Sequence, residues 1–158
     1  MSRTATLPAI LFVCLGNICR SPLAEAALRA RATGAGLELD IDSAGTGDWH
    51  VGEPPDRRAR ATARRHGIDI SGYCGRQVSA ADFRRFSHIF ALDHTNLSNL
   101  RRLAPADATA RIGLLLDMVE GRAGQAVTDP YFGGEEGFEI TWQQVDAAAE
   151  AILAELVR

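Results

Sequence analysis

Val13-Cys14-Leu15-Gly16-Asn17-Ile18-Cys19-Arg20-Ser21-Pro22 is the stretch on which the reading of this chain turns. Ahead of it, Ala9-Ile10-Leu11-Phe12-Val13 is uncharged and rich in branched residues, which predicts a buried strand. Behind it, Leu23-Ala24-Glu25-Ala26-Ala27-Leu28-Arg29-Ala30 has helical apolar spacing and much alanine. Ser21 followed by Pro22 predicts the helix start, a hydroxyl N-cap and then a residue that needs no N–H partner. Cys14 and Arg20 therefore stand at the two ends of a strand-to-helix loop.

Such a loop holds anions. Its N–H groups and those of the first helical turn converge, and the helix dipole adds partial positive charge. Arg20 brings a planar guanidinium that grips two phosphate oxygens at once. The same field favours the thiolate of Cys14, and a thiolate beneath a bound phosphate implies covalent phosphoryl transfer. Gly16 and Asn17 both tolerate the left-handed backbone of a tight cradle. Cys-x5-Arg alone recurs by chance, with the cysteine simply buried and the arginine solvated. The apolar strand, the Gly-Asn turn and the Ser-Pro start around it favour the anion site.

With these residues the chain resembles the low-molecular-weight protein tyrosine phosphatases. The resemblance runs from Phe12 through Pro22, then Asp42-Ser43-Ala44, Trp49 and Pro54-Pro55-Asp56. It continues with His66-Gly67-Ile68, Arg76-Gln77-Val78, Asp82-Phe83, Asp93, Asn96-Leu97 and Asp129-Pro130-Tyr131-Phe132-Gly133. It implies a bacterial-type phosphotyrosine phosphatase working through a cysteinyl-phosphate on Cys14. Arg20 and the loop Leu15, Gly16, Asn17, Ile18 and Cys19 would hold the phosphate. Asp129 would act as general acid and then base, although the dipeptide Asp129-Pro130 by itself reads as a turn. Trp49, Tyr131 and Phe132 would wall the cleft. Asn17, Ser21 and Ser43 would brace the loop, and Cys19 would guard Cys14 against oxidation. The family's bracing network also uses a histidine, which is missing from the longer segment Ser71-Gly72-Tyr73-Cys74-Gly75; either Tyr73 replaces it or the loop is held more loosely.

The rest of the chain sets bounds. Its 158 residues are 46% apolar and 23% charged, as expected of one soluble domain spanning 1–158, with residues 1–8 a loose extension. No apolar run reaches the ~20 residues of a membrane span, and the N-terminus lacks a secretory pattern. A formal charge of −3 gives no reason to expect nucleic acid. Three cysteines in such a chain predict a reducing cytoplasm and no disulfide framework. Neither a metal nor a cofactor is expected. The expected partners are phosphotyrosine proteins, such as a bacterial tyrosine kinase or a host protein, and phosphate or other oxyanions.

Alternating patterns predict an α/β fold, a central parallel sheet of about four strands covered by helices on both faces, with the phosphate loop after the first strand. Strands are expected at 9–13, 37–43, 88–92 and 112–116. Helices are expected from Ser21, from Asp56 to Gly67, from Ser79 to Phe86, over 95–103 and over 138–157. In the last of these, Ile140, Val145, Ala148, Ile152 and Leu156 are expected to face inward. Two other chemistries share parts of the pattern. A thiol-dependent arsenate reductase would need two further downstream cysteines, where only Cys74 stands. A phosphocysteine carrier would have no use for Asp129.

Overall fold

The computed structural model describes residues 7–131 and 133–157. Phe132 and residues 1–6, most of the expected N-terminal extension, lie outside them. Four strands form the sheet: β1 (Ala9–Cys14), β2 (Asp40–Gly45), β3 (His88–Ala91) and β4 (Arg111–Leu114). All pair in parallel in the order β2-β1-β3-β4. Ile10, Leu11, Phe12 and Val13 are at most 1% exposed. A strand buried on both faces has to be an uncharged apolar run, and so β1 is central.

Alternate residues of β1 feed two cores. Ile10 and Phe12 pack with α1 (Arg20–Gly34), α2 (Arg57–Arg65) and α5 (Glu135–Leu156). Leu11 and Val13 pack on the other face with Phe83 of α3 (Asp82–Arg85) and Leu100 of α4 (His94–Leu103). Helices therefore cover both faces, as the alternating pattern predicts. The carboxyl end of β1 lies mid-sheet, with α1 leading away from it.

Several boundaries depart from expectation. β2 begins at Asp40, because its register against β1 runs from Ala9 opposite Asp40 to Cys14 opposite Gly45. Leu37 and Leu39 instead pack against the core ahead of the strand. β4 stops at Leu114 and passes into a 3₁₀ turn, Leu115–Met118. α3 is shorter than its Ser79 start implies. Asp82 accepts the Ser79 N–H at 2.7 Å, while the Ser79 hydroxyl turns to that same carboxylate and caps no N–H. In α5 Ile140 is exposed and Leu156 half-buried, whereas Phe138, Thr141 and Trp142 face inward. The α2 prediction holds: Asp56 accepts the Arg58 N–H at 2.8 Å, and Gly67 leaves the helix at φ 82°.

Candidate active site

Cys14 ends β1, and Leu15–Cys19 curl over the sheet before α1 begins at Arg20. Asn17 supplies the left-handed residue of this loop, at φ 58°. Gly16 does not; a Cβ there would stand in tight contact, 3.1 Å from the His50 ring. α1 starts one residue ahead of Ser21, and the expected hydroxyl N-cap is absent. The Ser21 hydroxyl instead lies 3.0 Å from Cys14 Sγ and accepts from Asn17 Nδ2 at 2.8 Å. With its lone pairs engaged by Asn17, its own hydrogen is available to the sulfur. The Asn17 N–H also points at Sγ, at 3.3 Å. Both donors stabilise negative charge on the sulfur.

The brace behind the loop is one directed chain of hydrogen bonds. Asn17 Nδ2 donates to Ser43 Oγ at 3.0 Å, and Ser43 Oγ donates to Glu25 Oε1 at 2.7 Å. Glu25 in turn accepts from Arg29 at 2.8 Å. Asn17 Oδ1 accepts the Arg76 N–H at 3.0 Å. Burial raises the Glu25 carboxyl above the ordinary range, only partly offset by Ser43 and Arg29. Tyr73 packs at the edge of the core and appears in none of these bonds. Glu25 thus terminates the brace, and sequence reading missed it. A lone Glu in an alanine-rich helix reads as solvent-facing; its place four residues after Ser21, on the same side of α1, was the available signal.

Arg20 is 5% exposed, and its orientation is fixed. Its Nη1 donates to Asp93 Oδ2 at 2.9 Å and to the Val127 carbonyl at 3.3 Å. The other Asp93 oxygen caps α4 through the Asn96 N–H at 2.8 Å, so this carboxylate is both a cap and part of the site. Asp129 stands across the cleft with its Oδ2 3.7 Å from Arg20 Nη2. Its other oxygen accepts the Tyr131 N–H at 3.1 Å, folding Asp129-Pro130-Tyr131 into a turn. Cys14, Gly16, Ile18, Arg20, Trp49, His50, Asp129 and Tyr131 line a cleft of about 320 Å³, together with Leu15 and Cys19. Trp49 is 68% exposed and Tyr131 41%, so these two are wall and not core. Cys19 is buried and unbonded to Cys14; burial pushes its thiol far up, and the Asp56 charge adds to this. Cys74 is exposed, and no cluster of metal-ligating residues occurs among the described residues.

A thiol-bearing oxyanion cradle at the carboxyl end of a parallel sheet, fronted by a carboxylate, is the arrangement of cysteine-dependent phosphatases. Residues 9–158 match the family model for low molecular weight phosphotyrosine protein phosphatases, and the chain belongs to that family. A low molecular weight protein-tyrosine-phosphatase of Streptomyces coelicolor is 45% identical, over 92% of this chain and 91% of its own. YfkJ of Bacillus subtilis, described in the same words, is 44% identical over 93% of this chain and 94% of its own. The YfkJ crystal structure superposes with a TM-score of 0.87, covering 95% of this chain and 94% of that one. The crystal structure of DARP, a Drosophila arginine phosphatase, gives 0.89 at 35% identity, over 95% and 98%.

Proposed function

We propose that this protein hydrolyses phosphotyrosine in proteins by two displacements at phosphorus. In the first, Cys14 Sγ attacks, the phosphorus–oxygen bond to the ring breaks, and Asp129 gives its proton to the departing phenolate. In the second, Asp129 takes a proton from water, which attacks the cysteinyl-phosphate, and the sulfur leaves as thiolate. Arg20 and the other loop N–H groups carry the charge on the equatorial oxygens throughout, while the Asn17 N–H and the Ser21 hydroxyl stay with the sulfur. Since Asp93 and the Val127 carbonyl already orient the guanidinium, little rearrangement is needed at that moment.

The observation that carries this reading is the convergence of Cys14, Arg20 and Asp129 on one cleft. Leu15, Ile18, Trp49 and Tyr131 give that cleft apolar flanks, which suit a phenyl ring better than the charged guanidinium of a phosphoarginine. No described helix is long and apolar enough to cross a membrane; the substrate proposed is a tyrosine kinase or a host protein, met in the cytoplasm.

Steady turnover of phosphotyrosine peptides is expected, abolished in Cys14→Ser and reduced about 10²- to 10⁴-fold in kcat/KM in Asp129→Ala. Stoichiometric phosphate on Cys14 without turnover would indicate a carrier. Faster release from phosphoarginine than from phosphotyrosine peptides would overturn the choice of substrate. Capture of phosphoproteins by Cys14→Ser identifies the physiological target.

A further inference from the structure

Asp129 sits on an exposed loop, yet its proton must be delivered to within a hydrogen bond of the leaving oxygen. The entry to that loop is tied to α5. Thr128 donates its N–H to Gln144 at 2.8 Å, and its carbonyl accepts from the Thr141 hydroxyl at 2.8 Å. The loop's exit is reached by Arg58, in the first turn of α2.

Arg58 holds a single orientation through most of its planar donors. Nε and Nη2 each donate to the Asp56 carboxylate at 3.1 Å, and Nη1 donates to the Gly133 carbonyl at 3.2 Å. The guanidinium carbon lies 5.5 Å from the Tyr131 ring centre and 4.8 Å from that of Phe138. Asp56, the anchor of this arrangement, donates its own N–H to the Ile18 carbonyl in the phosphate loop at 2.8 Å. The connection therefore runs from the cradle through Asp56 and Arg58 to Tyr131 and Gly133.

We propose that Arg58 is a positioning residue that clamps the Asp129 loop to the phosphate loop, setting the carboxyl at proton-transfer distance from the leaving oxygen. Arg58 touches no reacting atom itself. An exposed ion pair made for stability alone would need neither the Gly133 carbonyl nor two ring faces, and lysine cannot reproduce that planar fork. The proposal rests on Asp129 being the proton donor.

The test compares kcat/KM for phenyl phosphate, whose leaving group needs a proton, with that for dinitrophenyl phosphate, whose leaving group does not. Arg58→Ala is expected to raise the dinitrophenyl-to-phenyl ratio about tenfold, as loss of acid alignment would. Arg58→Lys, which keeps a cation beside Asp56 and guards against a folding failure in the alanine variant, is expected to keep a raised ratio with an unchanged melting temperature. In an Asp129→Ala background, Arg58→Ala is expected to leave the ratio where Asp129→Ala put it. Equal slowing of both substrates in Arg58→Ala, or a normal ratio in Arg58→Lys, overturns the proposal. If Asp129→Ala itself leaves the ratio unchanged, the proton-donor assignment fails and the clamp fails with it. A ratio that rises in Asp129→Ala but not in Arg58→Ala removes only the clamp.

Discussion

Glu25 is a carboxylate in a place where a carboxylate is costly. It is 5% exposed, yet it accepts from both Ser43 and Arg29 and so closes the chain of bonds that begins at Asn17. Removing it leaves the Ser43 hydroxyl without an acceptor, and an unmade buried bond costs about 1–3 kcal/mol. Glu25→Ala is therefore expected to lower stability in urea by that amount and to slow turnover, whereas Glu25→Gln keeps an acceptor and loses less of both. The pH dependence follows from burial, which raises this carboxyl. Above the ordinary glutamate value of ~4.3, the unfolded chain has released a proton that the native chain still holds. Stability attributable to Glu25 therefore falls as pH rises through that window, and Glu25→Gln is expected to remove this slope. Asn17 illustrates the same scale from the sequence side. Its fitness for a left-handed turn was legible from its residue type and its tie to Ser43 from the family resemblance, but its partner Arg76 was not.

Among the elements, the short α3 and the edge of β2 are joined through Arg76. Its side chain donates to Asp42 at 3.0 Å and to both oxygens of Asp82 at 2.9 and 3.0 Å, while its N–H supports Asn17. Burial works against the charged form of Asp82, but the Arg76 bonds and the Ser79 N–H outweigh it and hold this carboxyl below the usual range. A depressed carboxyl contributes stability above its unfolded value of ~3.9 and loses it as pH falls through the folded value. Asp82→Asn is expected to be less stable than the parent by about 1–3 kcal/mol at neutral pH, with the gap closing in acid. Equal gaps at both pH values in chemical denaturation would refute this. Element boundaries were the least legible part of the sequence, because each was decided by a neighbour. β2 starts where β1 offers a partner, and α1 starts early because Ser21 is drawn to the sulfur instead of the helix N-terminus.

Across the whole molecule, stability is expected to reside in the two cores and not in the surface charge. Phe138 is fully buried and packs with α1 and α2 residues in the same core, whereas the Arg31–Asp146 pair bridging α1 and α5 is partly exposed. Phe138→Ala is expected to cost about 3–5 kcal/mol and Arg31→Ala less than about 1 kcal/mol, both read from urea midpoints. The sequence by itself determined the parallel sheet, its helices on both faces, the family and the cradle between Cys14 and Arg20. These rest on local features, namely apolar periodicity, turn chemistry and a ten-residue motif, which leave their mark within a short window of chain. Only the tertiary structure decided that Glu25 ends the brace, that Asp93 and the Val127 carbonyl aim Arg20, and that Arg58 reaches the Asp129 loop. Those contacts join residues 18 to 107 positions apart. A hydrogen bond at that separation depends on how the helices pack on the sheet, and packing is settled by the whole core at once.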